Sequence, residues 1–442
     1  MHAEIWLIRV TCLCANFIGS LFNILLDLAV PTIAAEFGCS VELAIWASIG
    51  PTFVDSMLGP TMGRVADTFG YRRVWLGGML LEVCQCLCSG LAPTIWVLLM
   101  GRPLAGMASS PARSAGFAMM CKGLAPQSRG MISSLQTTVG TLAASFGLAG
   151  SGLFIERFGW RALFLGPVLP ICALWVVAYF VLPTDTGSRR AAEARQKAGE
   201  AVEAAVPFDI AGAGLLALIV ACVLLFFNRG NALGWNHPAL SILIGVALLA
   251  TPMLLLVERR APQPVMPFVI FQDRTRCASI AVFCASNFCW VAGSFILPLC
   301  LQRAKGLSMG NTGLLLSMRP VAGFVIAAFM SWLFSSGKPL PRRQIVQAGV
   351  TVTAIAYSLL LLVIDMDMNS SVGWAVVMTS QFLQCLGGVP TFQMCMATVV
   401  ASVPADSLST TNGVLGPMLR AWNLTCPCVL LRADQLTSPT CP

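Results

Sequence analysis

Residues 238–257 read PALSILIGVALLATPMLLLV, a run of twenty residues without a charged side chain. An α-helix rises about 1.5 Å per residue, so about twenty apolar residues cover the roughly 30 Å hydrocarbon core of a bilayer. The run therefore predicts a helix that spans a membrane.

Eleven more runs share this length and apolar character. In the first half of the chain they lie at residues 7–30, 44–62, 74–92, 95–119, 131–154 and 161–182. In the second half they lie at residues 210–228, 277–301, 312–335, 345–366 and 372–398. Together they predict an all-α, polytopic transmembrane protein with about twelve spans. The start of the chain is too short to supply the basic region of a cleaved signal peptide, so we expect the first run to be a retained helix.

The composition indicates that the outer surface of the protein is apolar as well as its interior. Apolar residues make up 57% of the chain and charged residues 10%, with a mean hydropathy of +0.80. A soluble protein has about a quarter of its residues charged. One compact soluble core is therefore excluded.

Several function classes find no support in the sequence. The net charge of +8 is spread in small groups between apolar runs, which argues against a nucleic-acid surface. Most of the eighteen cysteines lie inside apolar runs, and the only histidines are His2 and His237, so we expect no metal site and no cofactor. No paired acids, histidine cluster or Ser/Lys dyad has the spacing of a catalytic site, and no phosphate-binding loop is present, so we expect no enzyme.

The basic residues predict the orientation of the chain. Sixteen of them follow even-numbered runs: Arg64, Arg72, Arg73, Lys122, Arg129, Arg189, Arg190, Arg195, Lys197, Arg259, Arg260, Arg274, Arg276, Lys338, Arg342 and Arg343. Five lie in the opposite loops: Arg157, Arg161, Arg229, Arg303 and Lys305. Because cytoplasmic loops carry the excess of Lys and Arg, we expect a cytoplasmic N-terminus and a multi-pass protein of the plasma membrane.

One long hydrophilic segment, residues 183–208, divides the chain after the sixth run. It is expected to be a cytoplasmic linker between a six-helix bundle at residues 1–182 and the rest of the chain. Glu193 and Lys197 are spaced i,i+4, which favours a short surface helix. A flexible, solvated linker is the alternative.

Six ionisable residues fall inside predicted spans, where a charge costs several kcal/mol and marks a candidate functional site. They are Asp27, Asp55, Glu82, Arg102, Arg113 and Arg319. Arg102 lies about eight residues into its helix, roughly 12 Å deep. We expect it to face a polar cavity or to pair with Asp27 or Asp55, so that a movable Arg–Asp pair takes up and releases a proton.

Purely structural explanations remain alternatives to a functional role for the other ionisable residues. Asp27 lies four residues before Pro31 and can reach water near the outer end, whereas Arg113 can extend towards the inner surface. Glu82 can serve as a structural hydrogen-bonding residue. Aromatic and methionine candidates for a substrate cavity are Phe53, Met57, Trp290 and Phe295, although packing or lipid contact would equally explain them.

Residues 63–73, GRVADTFGYRR, resemble the signature loop of the major facilitator superfamily of transporters. The residues that carry the resemblance, and that would form its conformational-switch loop, are Gly63, Asp67, Gly70, Arg72 and Arg73. The resemblance implies that Asp67 caps a helix or pairs with Arg72 or Arg73. Thr68 and Tyr71 stand where that family usually has basic residues.

Further segments resemble the 14-spanning drug:proton antiporter branch of this family. They include FNILLDLAVP at residues 22–31, Arg102 four residues before Gly106, and FGWRALF at residues 158–164. The antiporter motif of the fifth helix is represented by Gly147, Gly150 and Gly152, although Leu148 replaces its proline. Arg102 matches the branch's arginine that is implicated in proton coupling.

The resemblance also implies a domain organisation. An inserted helix pair and its following loop would occupy residues 209–276, between two bundles, and an incomplete second bundle would occupy residues 277–421. Residues 422–442 depart from the family pattern and contain no run long enough to span a membrane. The chain thus matches about twelve of the fourteen helices expected for the branch.

The function implied by the resemblance is secondary active transport, with proton-coupled efflux of small amphipathic, cationic or drug-like compounds by alternating access. Protons, a small-molecule substrate and the lipid bilayer would be its partners, and the protein is expected to be a monomer. Arg102, Asp27, Asp55 and Glu82 are the candidates for proton coupling. A truncated, inactive or regulatory member of the family, and an exporter of metabolites or siderophores, are the alternatives.

Overall fold

The computed structural model describes residues 2–122, 124, 129–182, 209–260, 273–301, 306, 309–336, 340–362 and 371–401, and all of its regular secondary structure there is helical. The helices of the first half are α1 (His2–Phe37), α2 (Val41–Ala44), α3 (Trp46–Phe69), α4 (Tyr71–Gly90), α5 (Ile95–Cys121), α6 (Gly130–Phe158), α7 (Ala162–Leu165) and α8 (Val168–Val181). Those of the second half are α9 (Ile210–Leu233), α10 (Pro238–Arg260), α11 (Arg274–Leu299), α12 (Met309–Ser335), α13 (Arg342–Leu362) and α14 (Ser371–Ala401).

The prediction of an all-α architecture is confirmed. Each predicted apolar run overlaps one long helix or, for residues 161–182, the consecutive helices α7 and α8. Six stretches of the described helices are long and apolar enough to cross a membrane: Ile5–Phe22, Ala162–Val181, Pro238–Arg260, Leu315–Ser335, Arg342–Leu361 and Ser371–Ala401. The total of twelve spans stays a prediction.

Glycines separate consecutive long helices where the backbone has to turn sharply. Gly70 joins α3 to α4 with a φ of 98°, and Gly159 ends α6 with a φ of 73°. Only glycine adopts such angles without a steric penalty from a Cβ atom. The glycine of the predicted switch loop therefore sets the boundary between α3 and α4.

The first bundle, α1–α8, is built around α5, which packs closely against both α3 and α4. A Cβ atom at Gly106 of α5 would lie 2.4 Å from the carbonyl oxygen of Pro51 and 2.8 Å from Cβ of Val54 on α3. A Cβ atom at Gly78 of α4 would lie 2.9 Å from the carbonyl oxygen of Ala108 on α5. These glycines let the three backbones approach to distances that a side chain would prevent.

The second bundle, α11–α14, has an equally close contact between α13 and α14. A Cβ atom at Gly349 would lie 2.6 Å from the carbonyl oxygen of Gly387, and one at Gly387 would lie 2.4 Å from the carbonyl oxygen of Gly349. Helices α9 and α10 pack on each other, and α9 also packs on α3 of the first bundle. There the guanidinium of Arg229 lies 5.4 Å from the ring centroid of Trp46.

The proposed domain boundaries remain predictions. The linker at residues 183–208, with its expected surface helix at Glu193 and Lys197, lies outside the described residues, as does the tail at residues 422–442. The inserted pair at residues 209–276 contains α9 and α10, and the described part of the segment 277–421 falls in α11–α14.

A polar clamp joins the end of α1 to the connection between α6 and α7. Both oxygens of the Glu36 carboxylate accept hydrogen bonds, one from Nη1 of Arg161 and the other from Nε1 of Trp160. The Arg161 guanidinium also lies 4.5 Å from the ring centroid of Trp160. The hydrogen bond from Arg161, followed by that from Trp160, lowers the pKa of Glu36 from its ordinary value.

We expect Gly106→Ala to destabilise the protein because the new methyl group would push α3 away from α5. Overpacking of this kind costs about 1–3 kcal/mol. Gly77→Ala on α4 is the matched control, because a Cβ atom there has nothing within 4 Å and alanine favours a helix over glycine by about 1 kcal/mol. Thermal unfolding in detergent measures both. Equal midpoints for the two variants would contradict the close contact of α3 and α5.

We expect the contribution of the Glu36 clamp to stability to depend on pH. Because folding depresses the pKa of Glu36, this contribution is present above the unfolded-state pKa, about 4.3, and is lost as the pH falls through the lower folded-state value. The Glu36 side chain is 43% exposed, so we expect less than about 1 kcal/mol. Thermal unfolding of the intact chain and Glu36→Gln from pH 7 to pH 3 measures it. A difference that stays constant over this range would rule the linkage out.

Candidate functional site

Arg102 lies buried at the meeting point of α3, α4 and α5, with 3% of its surface exposed. Its Nε donates a hydrogen bond to the carbonyl oxygen of Ala47 on α3, and its Nη1 donates one of 3.3 Å to Oε1 of Gln85 on α4. The guanidinium lies 5.2 Å from the ring centroid of Phe164 on α7. Arg102 is therefore attached to three neighbouring helices of the first bundle.

Gln85 connects Arg102 to the acidic residue Glu82. The Nε2 of Gln85 donates a hydrogen bond of 3.1 Å to Oε1 of Glu82, while its Oε1 accepts from Arg102. Glu82 and Arg102 also attract each other electrostatically. We call these three residues the polar relay. The sequence analysis did not identify Gln85, although its position three residues after Glu82 in an apolar run was the available signal.

Asp55, whose side chain is buried, forms an ion pair with the partly exposed Arg113. Nη2 of Arg113 lies 3.1 Å from both carboxylate oxygens of Asp55, and the side chains are 27% and 3% exposed, respectively. For Arg102 we expected a polar cavity or a pairing with Asp27 or Asp55, and extension towards the inner surface was one interpretation of Arg113. The ion pair seen for Asp55 joins α3 to Arg113 of α5, and the pairing of Arg102 with an acid stays a prediction. Asp27 lies within α1, but its side chain is outside the described part of the chain.

Two tyrosines contact the charged residues of the signature segment. Tyr71 donates a hydrogen bond of 3.0 Å to Oδ1 of Asp67, and Arg72 donates one to the carbonyl oxygen of Tyr179 on α8. The Arg72 guanidinium also lies 5.1 Å from the Tyr179 ring centroid. Gly63 is buried inside α3, and Arg73 is exposed at the start of α4. The tyrosine that departs from the family pattern is thus a partner of Asp67.

The glycines of the antiporter-like motif all lie within the single helix α6, where Gly147 is buried. The side-chain surroundings of Gly150 and Gly152 are outside what the structure describes. Nearer its start, α6 contacts the second bundle through hydroxyl groups. The Oγ atoms of Ser134 and Ser331 lie 2.5 Å apart, and Oγ1 of Thr138 lies 3.2 Å from Ser331.

One apolar cluster joins the two bundles at the end where α1 begins. Its members include Ile8, Cys12, Phe117, Ile132, Phe283, Val399 and Val400, from α1, α5, α6, α11 and α14. At the opposite end, the described residues form separate clusters within each bundle. The first bundle has Leu26, Ile33, Leu98, Trp160 and Phe164, and the second has Leu297, Leu301, Leu315 and Val377. We call the shared cluster and the hydroxyl contacts of α6 the bundle junction.

A second buried arginine lies in the other bundle. Arg319 of α12 is 7% exposed, its Nη2 donates a hydrogen bond of 2.6 Å to the carbonyl oxygen of Trp290, and its guanidinium lies 3.9 Å from the Trp290 ring centroid. Three glutamines of α14, Gln381, Gln384 and Gln393, are at most 1% exposed. The sequence analysis overlooked these glutamines, because single polar residues in an apolar run carry little signal. Within the described residues, no group of three or more His, Cys, Asp or Glu side chains is arranged to hold a metal ion.

The chain is similar to known membrane transporters over most of its length. Residues 12–423 match the profile of the Major Facilitator Superfamily. An uncharacterized MFS-type transporter of Bacillus subtilis, YhcA, is 24% identical over 77% of this chain, and the chain spans 62% of that protein's length. The tetracenomycin C resistance and export protein of Streptomyces glaucescens is 23% identical over 89% of this chain and 69% of its own.

A solved structure shares the fold. The proton:xylose symporter XylE, bound to 6-bromo-6-deoxy-D-glucose, aligns with 99% of this chain and 90% of its own, with a TM-score of 0.63 and 12% sequence identity. At this identity the likeness concerns the arrangement of the helices alone.

We expect the Asp55–Arg113 ion pair to be revealed by a double-mutant cycle. Removing one partner of a buried pair leaves an uncompensated charge and costs about 3–5 kcal/mol. Asp55→Asn and Arg113→Gln are each expected to lower the unfolding midpoint in detergent strongly, whereas the double variant recovers much of the loss. Arg157→Gln, at an exposed position of α6, is the control. Additive losses in the double variant would show that the pair is not energetically coupled.

Proposed function

The chain belongs to the Major Facilitator Superfamily, and from that premise we propose that it is a secondary active transporter that exports small amphipathic compounds in exchange for protons. It is a multi-pass membrane protein, and we place it in the plasma membrane with a cytoplasmic N-terminus, acting as a monomer. The relative that exports tetracenomycin C supports a drug-like substrate.

The polar relay is the observation that carries the proposal of proton coupling. Formal charges inside a membrane protein are expensive and mark ion or proton pathways. Glu82 is the proton acceptor in this proposal, and Gln85 transmits its state to Arg102 because the amide contacts both side chains. A proton on Glu82 removes the negative charge that attracts Arg102, which weakens the link between α4 and α5.

Arg102 then converts the change in charge into a change in helix positions. Its hydrogen bond to Ala47 ties α5 to α3, and its contact with Phe164 ties α5 to α7. A change in the side chain's position therefore acts on three helix contacts at once. The Asp55–Arg113 pair links α3 and α5 a few helical turns from Arg102. The carboxylate of Asp55 is the second acidic group that a proton would neutralise.

The bundle junction supports alternating access. The two bundles share an apolar cluster at the end where α1 begins, while the described clusters at the other end stay within single bundles. In this proposal the structure is closed at the predicted cytoplasmic end, and transport requires the junction to part while the opposite end closes.

We expect cells that express the intact chain to accumulate several-fold less of a fluorescent amphipathic cation than cells that express Arg102→Ala or Glu82→Gln. Gln85→Leu keeps both charges but cuts the link between them, so we expect it to slow proton-driven efflux as well. Substrate-induced proton flux in vesicles is the direct measurement.

Arg343→Ala, at an exposed position of α13, is the control and is expected to behave like the intact chain. Accumulation that is the same with the intact chain, Arg102→Ala and an empty vector would refute export of the tested compound. Efflux that continues after the proton gradient is collapsed would refute proton coupling.

A further inference from the structure

Gln393 of α14 is a buried amide at the bundle junction. Its side chain is fully buried, and neither its Nε2 nor its Oε1 atom has a hydrogen-bond partner among the described residues. A buried donor or acceptor that stays unpaired loses the hydrogen bonds that it makes with water, which destabilises the state that buries it. Such a group in a folded protein calls for an explanation.

The register of α14 places Gln393 on the face that meets the first bundle. Ala397, one turn after Gln393, lies against the start of α6, because a Cβ atom at Gly130 would be 2.6 Å from its Cβ atom. Met396 and Val400, three and seven residues after Gln393, belong to the apolar cluster that the two bundles share. Residues spaced i, i+3, i+4 and i+7 lie on one face of a helix. Gln393 therefore lies on the face of α14 that closes the junction.

Helices α12 and α14 run side by side in the same direction. A Cβ atom at Gly323 of α12 would lie 3.9 Å from the thiol sulfur of Cys385 on α14. About three turns further along both helices, Phe334 and Ala397 meet at the start of α6, because a Cβ atom at Gly130 would contact both of them. One turn before this point on α14 therefore corresponds to one turn before it on α12.

The residues one turn before this point are Gln393 on α14 and Ser331 on α12. Ser331 contacts the first bundle, since its Oγ lies 2.5 Å from Oγ of Ser134 and 3.2 Å from Oγ1 of Thr138. Gln393 is thus level with the hydroxyl contacts that join the bundles. These hydroxyl groups contact one another, and the amide of Gln393 pairs with none of them.

The other two buried glutamines of α14 face helices of their own bundle. Cys385, one turn after Gln381, donates a hydrogen bond of 3.1 Å from its thiol to a carbonyl oxygen of α12. Gly387, three residues after Gln384, would place a Cβ atom 2.4 Å from the carbonyl oxygen of Gly349 on α13. Both amides are also unpaired among the described residues. A movement of one bundle against the other does not uncover these faces, so they do not distinguish a closed junction from an open one.

We propose that Gln393 is a conformational switch residue that favours opening of the junction. While the junction is closed, its amide is buried without a partner. When the bundles part, water reaches the amide and supplies the missing hydrogen bonds. The side chain therefore destabilises the closed form relative to the open one and raises the population of the open form. The inference rests on the proposed function, because alternating access is what requires the junction to part.

A thiol placed in the junction measures how often the bundles part. Val400 is 0% exposed and belongs to the shared cluster, so in Val400→Cys a water-soluble maleimide reaches the new thiol when the junction opens. The purified full chain is treated with this reagent in detergent. Mass spectrometry of the peptide that contains residue 400 gives its labelling rate separately from the rates of the native cysteines.

In this background we expect Gln393→Met to slow the labelling about tenfold, which corresponds to about 1.4 kcal/mol. Methionine has an unbranched side chain of similar length and only a weak acceptor, so it fills the space and removes the unpaired amide. Gln384→Met is the matched control, because it removes an equally buried, unpaired amide from the interior of the second bundle. It is expected to raise the unfolding midpoint but to change the labelling rate less than about twofold.

Two further variants separate the effect of the amide from that of packing. Gln393→Asn keeps an amide at this position and is expected to label within about threefold of the background rate. Gln393→Leu is a second apolar replacement and is expected to slow the labelling as Gln393→Met does. If Gln393→Met does not fold, Gln393→Leu decides the question.

Three results would overturn the inference. They are a labelling rate that the apolar variants leave unchanged, equal slowing by Gln384→Met, and labelling of Gln393→Asn as slow as that of Gln393→Met. The labelling involves no transport, so the two proposals fail separately. A chain that exports the fluorescent cation but labels at the same rate with Gln393→Met loses this inference alone. A chain in which Gln393→Met slows the labelling but that moves no compound loses the transport function alone.

Discussion

The structure depends on one constraint, which is that a formal charge inside a membrane has to be held by other groups of the protein. A guanidinium or carboxylate that faces lipid is expensive, so each intramembrane charge draws neighbouring helices around it. Arg102 holds α3, α4 and α7 around α5, and Asp55 draws Arg113 across from α5 to α3. In the second bundle Arg319 joins α12 to α11 through Trp290. The buried charges are therefore links in the helix packing as well as candidates for function.

Close packing of small residues and charge placement work together in the first bundle. Gly106 lies four residues after Arg102, and its missing side chain lets α3 come within contact of α5. That approach brings Ala47 within reach of Arg102 and Asp55 within reach of Arg113. A wider spacing of α3 and α5 would leave Arg102 and Arg113 without their partners on α3. The position of Gly106 therefore determines whether both arginines are compensated.

The fold followed from the sequence far more readily than the site did. Apolar runs such as residues 238–257 predict helices directly, because the thickness of the bilayer fixes their length. The partner of a buried charge depends on which helices are adjacent and on how each helix is rotated about its axis. An apolar sequence segment without strong amphipathic character shows neither the neighbours nor the rotation. Asp55 and Arg113 are 58 residues apart in sequence. Gln85 and Gln381 sit in apolar runs as isolated polar residues, and only the packing of α4 on α5 and of α14 on α11 and α12 shows what they face.

The hydroxyl groups along α6 bear on how fast the two bundles can separate. Thr137, Thr138, Thr141 and Ser145 each donate a hydrogen bond to a carbonyl oxygen within α6 itself. When α6 moves away from α12, these four hydroxyl groups keep their acceptors within α6, and the hydrogen bonds that break between the described residues of the two helices are those of Ser134 and Thr138 with Ser331. We therefore expect the activation barrier for separating α6 from α12 to come mainly from exposing apolar side chains to water. We expect such a barrier to be more sensitive to temperature and to lipid composition than one made of interhelical hydrogen bonds.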